Sequence, residues 1–521
     1  MSYTRTALIL GTLCLAAVGQ SWIARYNGPA NDEDQAWGMA VTSAGNVCVT
    51  GSSWSSSAAN DIVTIAYSLT GESLWAQRYD GAAQGDDQAR AIAARNEEVF
   101  VTGGCSDASL WTDMVTIAYG ANGSQHWAAL YNGPANGNDH GLAVATDDVG
   151  GVYAAGYTSG DTTFWEMLLV KYDATGSEQW ASTYATIDED YCIGVATDAS
   201  GHVYTVGNSG SPYVLNWDYV TVKYDASNGE TLWVRRYNGP ANEQDEARAM
   251  TVDRDGNVIV TGGSAGPNGL DFTTIKYNPA GDSLWVRRYD GPAHSTDWAY
   301  ALAVDDAGNV YVTGSSLDPA TDADFATVKY LPDGTQAWVA RYNGPDSGFD
   351  EAKAIAVDAA GNVYVAGTSA GSGTRSDYAT IRYSSLGQED WVQRYDGPAS
   401  RDDGAVAIAL GPAGAVYVTG SSTGSGTGND FATLSYPTGG VSEGAAKCEA
   451  RNANRGPTIV RGVLNLGAYS KQHTAYKAEL LNVTGREVLH LKPGANDVSR
   501  LAPGVYFARS PSGVRRLVVT D

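Results

Sequence analysis

Cysteine, histidine and positive charge are scarce in this 521-residue chain. The five cysteines are Cys14, Cys48, Cys105, Cys192 and Cys448. Their separations give neither a metal cage such as C-x-x-C nor a recurring disulfide framework. Cys48 lies in NVCVT, where other copies of the segment carry tyrosine, and is expected as a small buried residue on a strand. The six histidines (His126, His140, His202, His294, His473, His490) occupy unrelated positions and form no H-E-x-x-H pair. No nucleophile elbow stands at a strand-to-helix turn, and no Walker loop is present. Lys plus Arg number 33 against 58 Asp plus Glu, a formal charge of −25. A general nucleic-acid binder, which needs a basic face, is thereby excluded. Long apolar runs are also missing, except Ala7–Val18. That run is too short for a comfortable membrane span. It follows Arg5 and ends in Ala17-Val18-Gly19, so residues 1–19 read as a secretory signal peptide. Leu13, before Cys14, is not the small residue that lipoprotein processing requires. The expectation is a soluble, exported mature chain with no transmembrane segment.

What the chain has in abundance is glycine (62), tyrosine (31) and tryptophan (14), the composition of short strands and tight turns. It also repeats. Trp22, Trp75, Trp127, Trp180, Trp233, Trp285, Trp338 and Trp391 follow one another at 52 or 53 residues. Their surroundings recur as WIARYNGPA, WVRRYNGPA or WVQRYDGPA, and WASTYATID is the most degenerate copy. Three further segments accompany each Trp segment (D): A, as in AIAVD; B, as in NVYVAG; and C, as in ATIRY. Each alternates or runs apolar as a strand does, and Asn-Gly, Asp-Gly and Gly-Pro punctuate them. Four strands in about 53 residues match one propeller blade. Segments A, B and C each occur eight times. So does D, but its first copy precedes the first A and none follows Tyr436. The orphan strand Trp22–Tyr26 is therefore expected to complete blade eight and close the ring, removing both edges. The fold class is all-β: an eight-bladed propeller over 20–440.

A connector rich in Gly, Ala and Asn (441–457) precedes a second set of short alternating strands, 458–521, read as a small β-sandwich. Charge changes sign here. Residues 441–521 carry 12 Lys/Arg and 6 Asp/Glu, whereas 1–440 carry 21 against 52.

The repeat EAKAIAVDAAGNVYVAGTSAGSGTRSDYATIRYSSLGQEDWVQRYDGP resembles the bacterial beta-propeller repeat family often called SBBP, over about 22–436. Members are secreted or surface proteins, mostly without an assigned enzymatic activity. Residues 480–521 look like the C-terminal sorting domain of the type IX (Por) secretion system. The D-x-x-G-R-x-V run falls on Asn482–Val488, with Asn in place of the leading Asp, and L-x-x-G-x-Y falls on Leu501–Tyr506. The family's usual opening Asn-Pro is absent. This resemblance implies export by the signal peptide, engagement of the secretion machinery, and delivery to the medium or outer surface of a bacterium. Tyr506, Arg515 and Arg516 are candidates for fold and receptor contacts.

Two acidic series recur. Asp34, Asp86, Asp139, Asp190, Asp245, Asp297, Asp350 and Asp403 lie just before segment A, the innermost strand of such a blade. They would ring one mouth of the channel as a cation site, or else terminate the D–A loops. Asp61, Asp113, Glu166, Asp218, Asp271, Asp324, Asp377 and Asp430 open segment C. Calcium suits carboxylates with loop carbonyls, although no complete calcium-loop spacing occurs. The eight periodic tryptophans read as packing between blades, and Arg236 in WVRRY as a partner for neighbouring acids. Repetition argues against one catalytic centre, so symmetry-breaking positions near Trp165, Glu166, Asp188, Glu189, Asp190 and Tyr191 are where function is sought. The leading expectation is a monomeric, non-enzymatic module that binds a surface protein or glycan, or serves as a scaffold. The alternative is a quinoprotein-like oxidoreductase using PQQ and calcium, because TGSEQW and NGETLW loosely resemble that family's blade motif.

Overall fold

The computed structural model describes residues 22–437, apart from 56–58, 107–110, 161–164 and 212–215, and the strand backbones of 458–519. The signal-peptide reading lies outside the described residues, as does the 441–457 connector. Two units separate at Gly440.

The first unit holds eight four-stranded antiparallel sheets. Blade seven shows the plan: A (Asp350–Val357), B (Val363–Ala370), C (Ser376–Tyr383) and D (Glu389–Tyr395). Strands B and C read as continuous apolar or small runs and are almost wholly buried, as strands covered on both faces must be. A and D are half-exposed. Each A strand lies beside the A strands of the neighbouring blades, so A lines the axis and D forms the rim. A bulge recurs in A, between Ala352 and Ala354 in blade seven, which raises local twist where the strands converge.

Blade eight is built from both chain ends. Its A, B and C strands are Asp403–Leu410, Ala415–Thr423 and Asn429–Pro437, and its D strand is Trp22–Tyr26. Trp22 pairs with Ser435 and Tyr26 with Phe431. Strand A of blade eight meets strand A of blade one, closing the ring as the strand count anticipates.

The periodic tryptophans knit successive blades. Trp391, on strand D of blade seven, lies 6.2 Å from Tyr364 of its own strand B and 6.2 Å from Tyr436 of blade eight. Trp22 repeats this across the closure, 5.8 Å from Tyr417 and 6.1 Å from Tyr67 of blade one. Its Nε1 donates to Leu69 O at 3.0 Å. Beneath the ring is Gly71, at φ +81°, where a Cβ would stand 2.6 Å from the indole. The turn thus needs glycine for conformation and for space.

The second unit contains a five-stranded sheet, in the order Thr458–Val460, Gly513–Val519, Gly504–Ser510, Ala478–Leu481 and Glu487–Leu491. It also contains a two-stranded sheet, Val463–Leu466 with Gly494–Asp497. Tyr506 pairs in register with Leu517, Phe507 with Arg516 and Ala508 with Arg515. The side chains of Tyr506, Arg515 and Arg516 lie outside the described residues, as does most of the Asn482–Val488 motif. Among the described residues no helix is long and apolar enough to cross a membrane.

Candidate functional site

The A-strand acids are buried rather than presented to the opening. Asp34, Asp139, Asp190, Asp245, Asp297, Asp350 and Asp403 are each 0–1% exposed. Each folds back on its own D–A loop: Asp350 accepts Gly344 N–H at 2.6 Å and Ala370 N–H at 2.9 Å. Asp403 does the same with Gly397 and Thr423, at 2.6 and 3.1 Å. Burial outweighs these bonds and pushes the Asp403 carboxyl up to about 6. One assignment needs correction. In blade two the position belongs to Asp87, 0% exposed and bonded to Gly81 N–H. Asp86 is exposed one residue earlier, where it accepts from Asn60 N–H. The adjacent Asp-Asp pair made the frame ambiguous by one residue.

The C-strand acids meet the arginines of strand D. Arg394 donates to Asp377 at 2.9 Å, to Ser369 Oγ at 2.6 Å and to Tyr342 of the preceding blade at 3.1 Å. Arg25 makes the same set in blade eight, with Asp430, Ser422 and Tyr395. Arg236 pairs with Asp218 at 3.0 Å. Blades two and three have Leu130 and Thr183 where this arginine stands.

At three junctions the two acidic series converge with a third acid. Carboxylate oxygens of Asp61, Asp80 and Asp87 lie within 4.8 Å of one another, as do those of Asp271, Asp290 and Asp297, and of Asp377, Asp396 and Asp403. The middle acid follows the strand-D tyrosine, where four other junctions have Asn27, Asn132, Asn238 and Asn343. Sequence reading missed it because Tyr-Asp-Gly and Tyr-Asn-Gly are equally good turns. Arg78, Arg288 and Arg394 already offset part of the charge. Among the described residues these triads bring three carboxylates close enough to share a cation.

Strands A and D place the D–A and B–C loops on one face of the ring. The other six tryptophans, Trp37, Trp54, Trp111, Trp165, Trp217 and Trp298, all belong to this half of their blades. Two aromatic and cationic walls result. The Arg90 guanidinium lies 4.7 Å above Trp37. His140 lies 5.1 Å from Tyr157, which stacks on Trp165 at 4.7 Å. Burial, aided by Arg90, lowers His140 to about 4, so its ring is neutral at pH 7. Further round the ring, in blades four to seven, Tyr191 meets Trp217 edge-on at 5.2 Å, Arg248 lies 5.0 Å from Trp298, and Lys353 lies 4.0 Å from Tyr300. Arg248 and Lys353 are also paired with Glu246 and Glu351, each at 2.8 Å. Arg90 has no carboxylate partner among the described residues; it bonds Gln88 at 2.9 Å. Of the positions singled out in blades three and four, Trp165 and Tyr191 belong to these walls, and Asp190, on strand Glu189–Thr197, accepts Thr186 N–H of its D–A loop.

A cavity of about 290 Å³ opens beside Trp37, where blades seven, eight and one meet. It exists because blade eight has Gly404 and Val406 where blade six has Trp298 and Tyr300. The wall therefore stops at the closure.

The SBBP family, described as Beta-propeller repeat, matches residues 284–318, from strand D of blade five into blade six. No curated protein matches the chain. Among solved structures, Sqt1 from Chaetomium thermophilum is 12% identical, with a TM-score of 0.51 over 80% of this chain and 98% of that one. The polysaccharide lyase Uly1 is 12% identical, at 0.42 over 67% and 89%. The WD40 domain of SCAP from fission yeast is 8% identical, at 0.40 over 80% and 98%. At 12% identity the likeness to Sqt1 concerns the fold alone.

Proposed function

We propose that this chain is an exported, non-enzymatic recognition module that binds a surface protein or glycan through the face carrying the D–A and B–C loops. The observation that carries the reading is the placement of the six non-periodic tryptophans. The architecture accounts for the eight periodic ones, which pack between blades. The other six fall outside that pattern, yet all belong to one half of the ring. Trp37 and Trp111 are 37% and 48% exposed there. Aromatic side chains beside polar and charged groups are the usual chemistry of binding surfaces. The test is a binding screen against glycans and candidate surface proteins, with Trp37→Ala and Trp298→Ala as probes. Loss of every interaction only when the opposite face is altered would defeat the reading.

The rival is the PQQ-dependent oxidoreductase. An absorbance scan for bound quinone with an alcohol or sugar oxidation assay separates the two, and cofactor-dependent turnover would establish the rival. Calcium, in either reading, would fall to the aspartate triads.

The tail, 458–521, is proposed as a β-sandwich sorting module of the type IX kind, delivering a monomeric propeller to the medium or outer surface. Its support is the Asn482–Val488 and Leu501–Tyr506 pattern and the reversal of charge. Residues 1–440 and the full precursor, both with the signal peptide, should both cross the inner membrane of a type IX host. Only the precursor should reach the surface, and equal delivery would sink the sorting role.

A further inference from the structure

The cavity beside Trp37 has a composition that narrows the class of ligand. One wall is the indole of Trp37, 37% exposed, continued by Val406. The remaining lining is polar and mostly neutral. Gln35, Thr368, Ser376 and Ser421 all face it. None of these four side chains is bonded to another side chain or backbone group among the described residues. Asn429, in contrast, is committed to Glu33 and Thr423. Asp403 is committed to its loop. Asp402 is held by Arg375 at 3.1 Å.

We propose that this cavity binds one neutral pyranose unit of a glycan, stacked on Trp37, which rests on the recognition reading above and gives it a ligand class. Three features select a sugar. A pyranose presents an apolar C–H face to an aromatic ring and hydroxyls around its edge. Hydroxyl and amide side chains both donate and accept, so they suit groups that do the same. The volume lies at the lower limit for small-molecule sites, enough for one ring and too little for a larger planar ligand. Charge then selects a neutral sugar. Arg375 offsets Asp402, but Asp403 has no cationic partner among the described residues and no cation lines the cavity, in a chain of net charge −25, so a uronate or sulfated sugar would be disfavoured. Arg90 does not alter this, because it covers the Trp37 ring without lining the cavity.

The closure also explains why the cavity lies here. Thr368 and Ser376 come from blade seven, Gly404 and Ser421 from blade eight, and Gln35 and Trp37 from blade one. The site needs the ring to close, and Gly404 leaves the room. A Cβ there would stand 2.9 Å from Thr368 Oγ1.

The test uses the mature full-length chain. Neutral oligosaccharides of gluco-, manno-, galacto- and xylo-configuration, with uronate and sulfated counterparts, are titrated by calorimetry and tryptophan fluorescence. At least one neutral series should bind, with weaker or no binding of its acidic counterpart. Trp37→Ala should weaken it more than tenfold, and Trp37→Phe less, since a smaller ring keeps the platform. Val406→Trp, which fills the cavity from its apolar side, should abolish binding. Leu386→Ala, in an exposed C–D turn on the opposite face, should leave it within twofold. Circular dichroism and melting curves establish that each variant folds, and the Phe variant keeps the test valid if Ala does not. Preference for acidic sugars, or equal affinity in Trp37→Ala and wild type, overturns the inference. So does binding of a surface protein with no glycan, but that outcome leaves the recognition reading intact. Absence of both ligand classes overturns the two together.

Discussion

Deleting residues 20–27 removes the strand that closes the ring, and its cost can be worked from the structure. Five register pairs with strand C of blade eight are lost, Trp22–Ser435 through Tyr26–Phe431. Backbone bonds contribute roughly 1 kcal/mol net each. Trp22 leaves the gap between Tyr417 and Tyr67. Truncating a buried Trp costs about 3–5 kcal/mol, and this ring is half-buried, so about 2 is expected. Arg25 is the sharpest element. It binds Asp430 at 2.7 Å, Ser422 Oγ at 2.6 Å and Tyr395 Oη at 2.8 Å. Asp430 is only 5% exposed, so the deletion strands a buried carboxylate. Breaking a buried pair costs about 3–5 kcal/mol; partial exposure of Arg25 brings this to about 2–3. With one bond per register pair the sum is roughly 9–10 kcal/mol, comparable with the whole stability of a typical domain. The truncated protein should therefore melt far below the intact one or open blade eight and self-associate through the bared edge. Differential scanning calorimetry and size-exclusion chromatography read the two outcomes. Added peptide 20–27 should restore the melting temperature in part. Arg25→Leu alone should cost about 2 kcal/mol. Arg236→Leu should cost about half of that, because its pair with Asp218 is more exposed. A truncated form that stays monomeric and melts within about 2 °C of the parent refutes the closure energetics.

Other perturbations separate architecture from recognition. Trp285→Ala should lose about 3–5 kcal/mol in denaturant titration, since that ring is 6% exposed and bonded to Pro332 O. Trp37→Ala should lose less than about 1 kcal/mol. Gly71→Ala forces a Cβ into Trp22 at positive φ and should cost more than about 1 kcal/mol. Asp403, held at about 6 when folded and near 4 when unfolded, contributes stability below about pH 4 that is lost as pH rises towards 6. Two units correspond to about 3 kcal/mol at most. Asp305 and Asp358, depressed by their turn hydrogen bonds despite burial, act oppositely and lose their contribution as pH falls below about 4. Melting temperature should thus peak near pH 4–5, and Asp403→Asn should flatten the fall above it. A steady rise from pH 4 to 8 would contradict this assignment.

The fold was legible because each blade repeats the same physical solution. Eight copies of one alternation, with a Trp at a fixed phase, specify strand order, packing and closure without reference to any one blade. Legibility failed where local chemistry is degenerate or where the chain ends meet. Asp86 and Asp87 are adjacent acids, and only burial distinguishes the loop staple from its exposed neighbour. Asp80, Asp290 and Asp396 look like interchangeable turn residues, and only geometry brings them to the other two acids. The six extra tryptophans have no period, so a repeat-based reading passes over them. The Trp37 cavity was beyond reach, because Gln35 and Ser421 become neighbours only once the ring closes.

The distribution of constant and variable residues divides the molecule by role. The half of each blade bearing the C–D turns carries a glycine at positive φ in every C–D turn, with a Trp ring against that glycine in six of them. Those positions are fixed by mutual contact, because each ring fills a gap that its neighbour leaves. At the second and fourth positions of strand A the occupants change from blade to blade: Gln35 and Trp37, His140 and Leu142, Trp298 and Tyr300, Gly404 and Val406. Such variety is compatible with one backbone only if these side chains are not required for blade packing. Their half-exposure agrees with that freedom. Stability therefore sets the C–D half and the buried acids and arginines of the D–A half, and leaves only these exposed strand-A positions free to vary. A variant exchanging the A strands of blades eight and six should keep the fold and lose the cavity, which separates the two demands in one molecule.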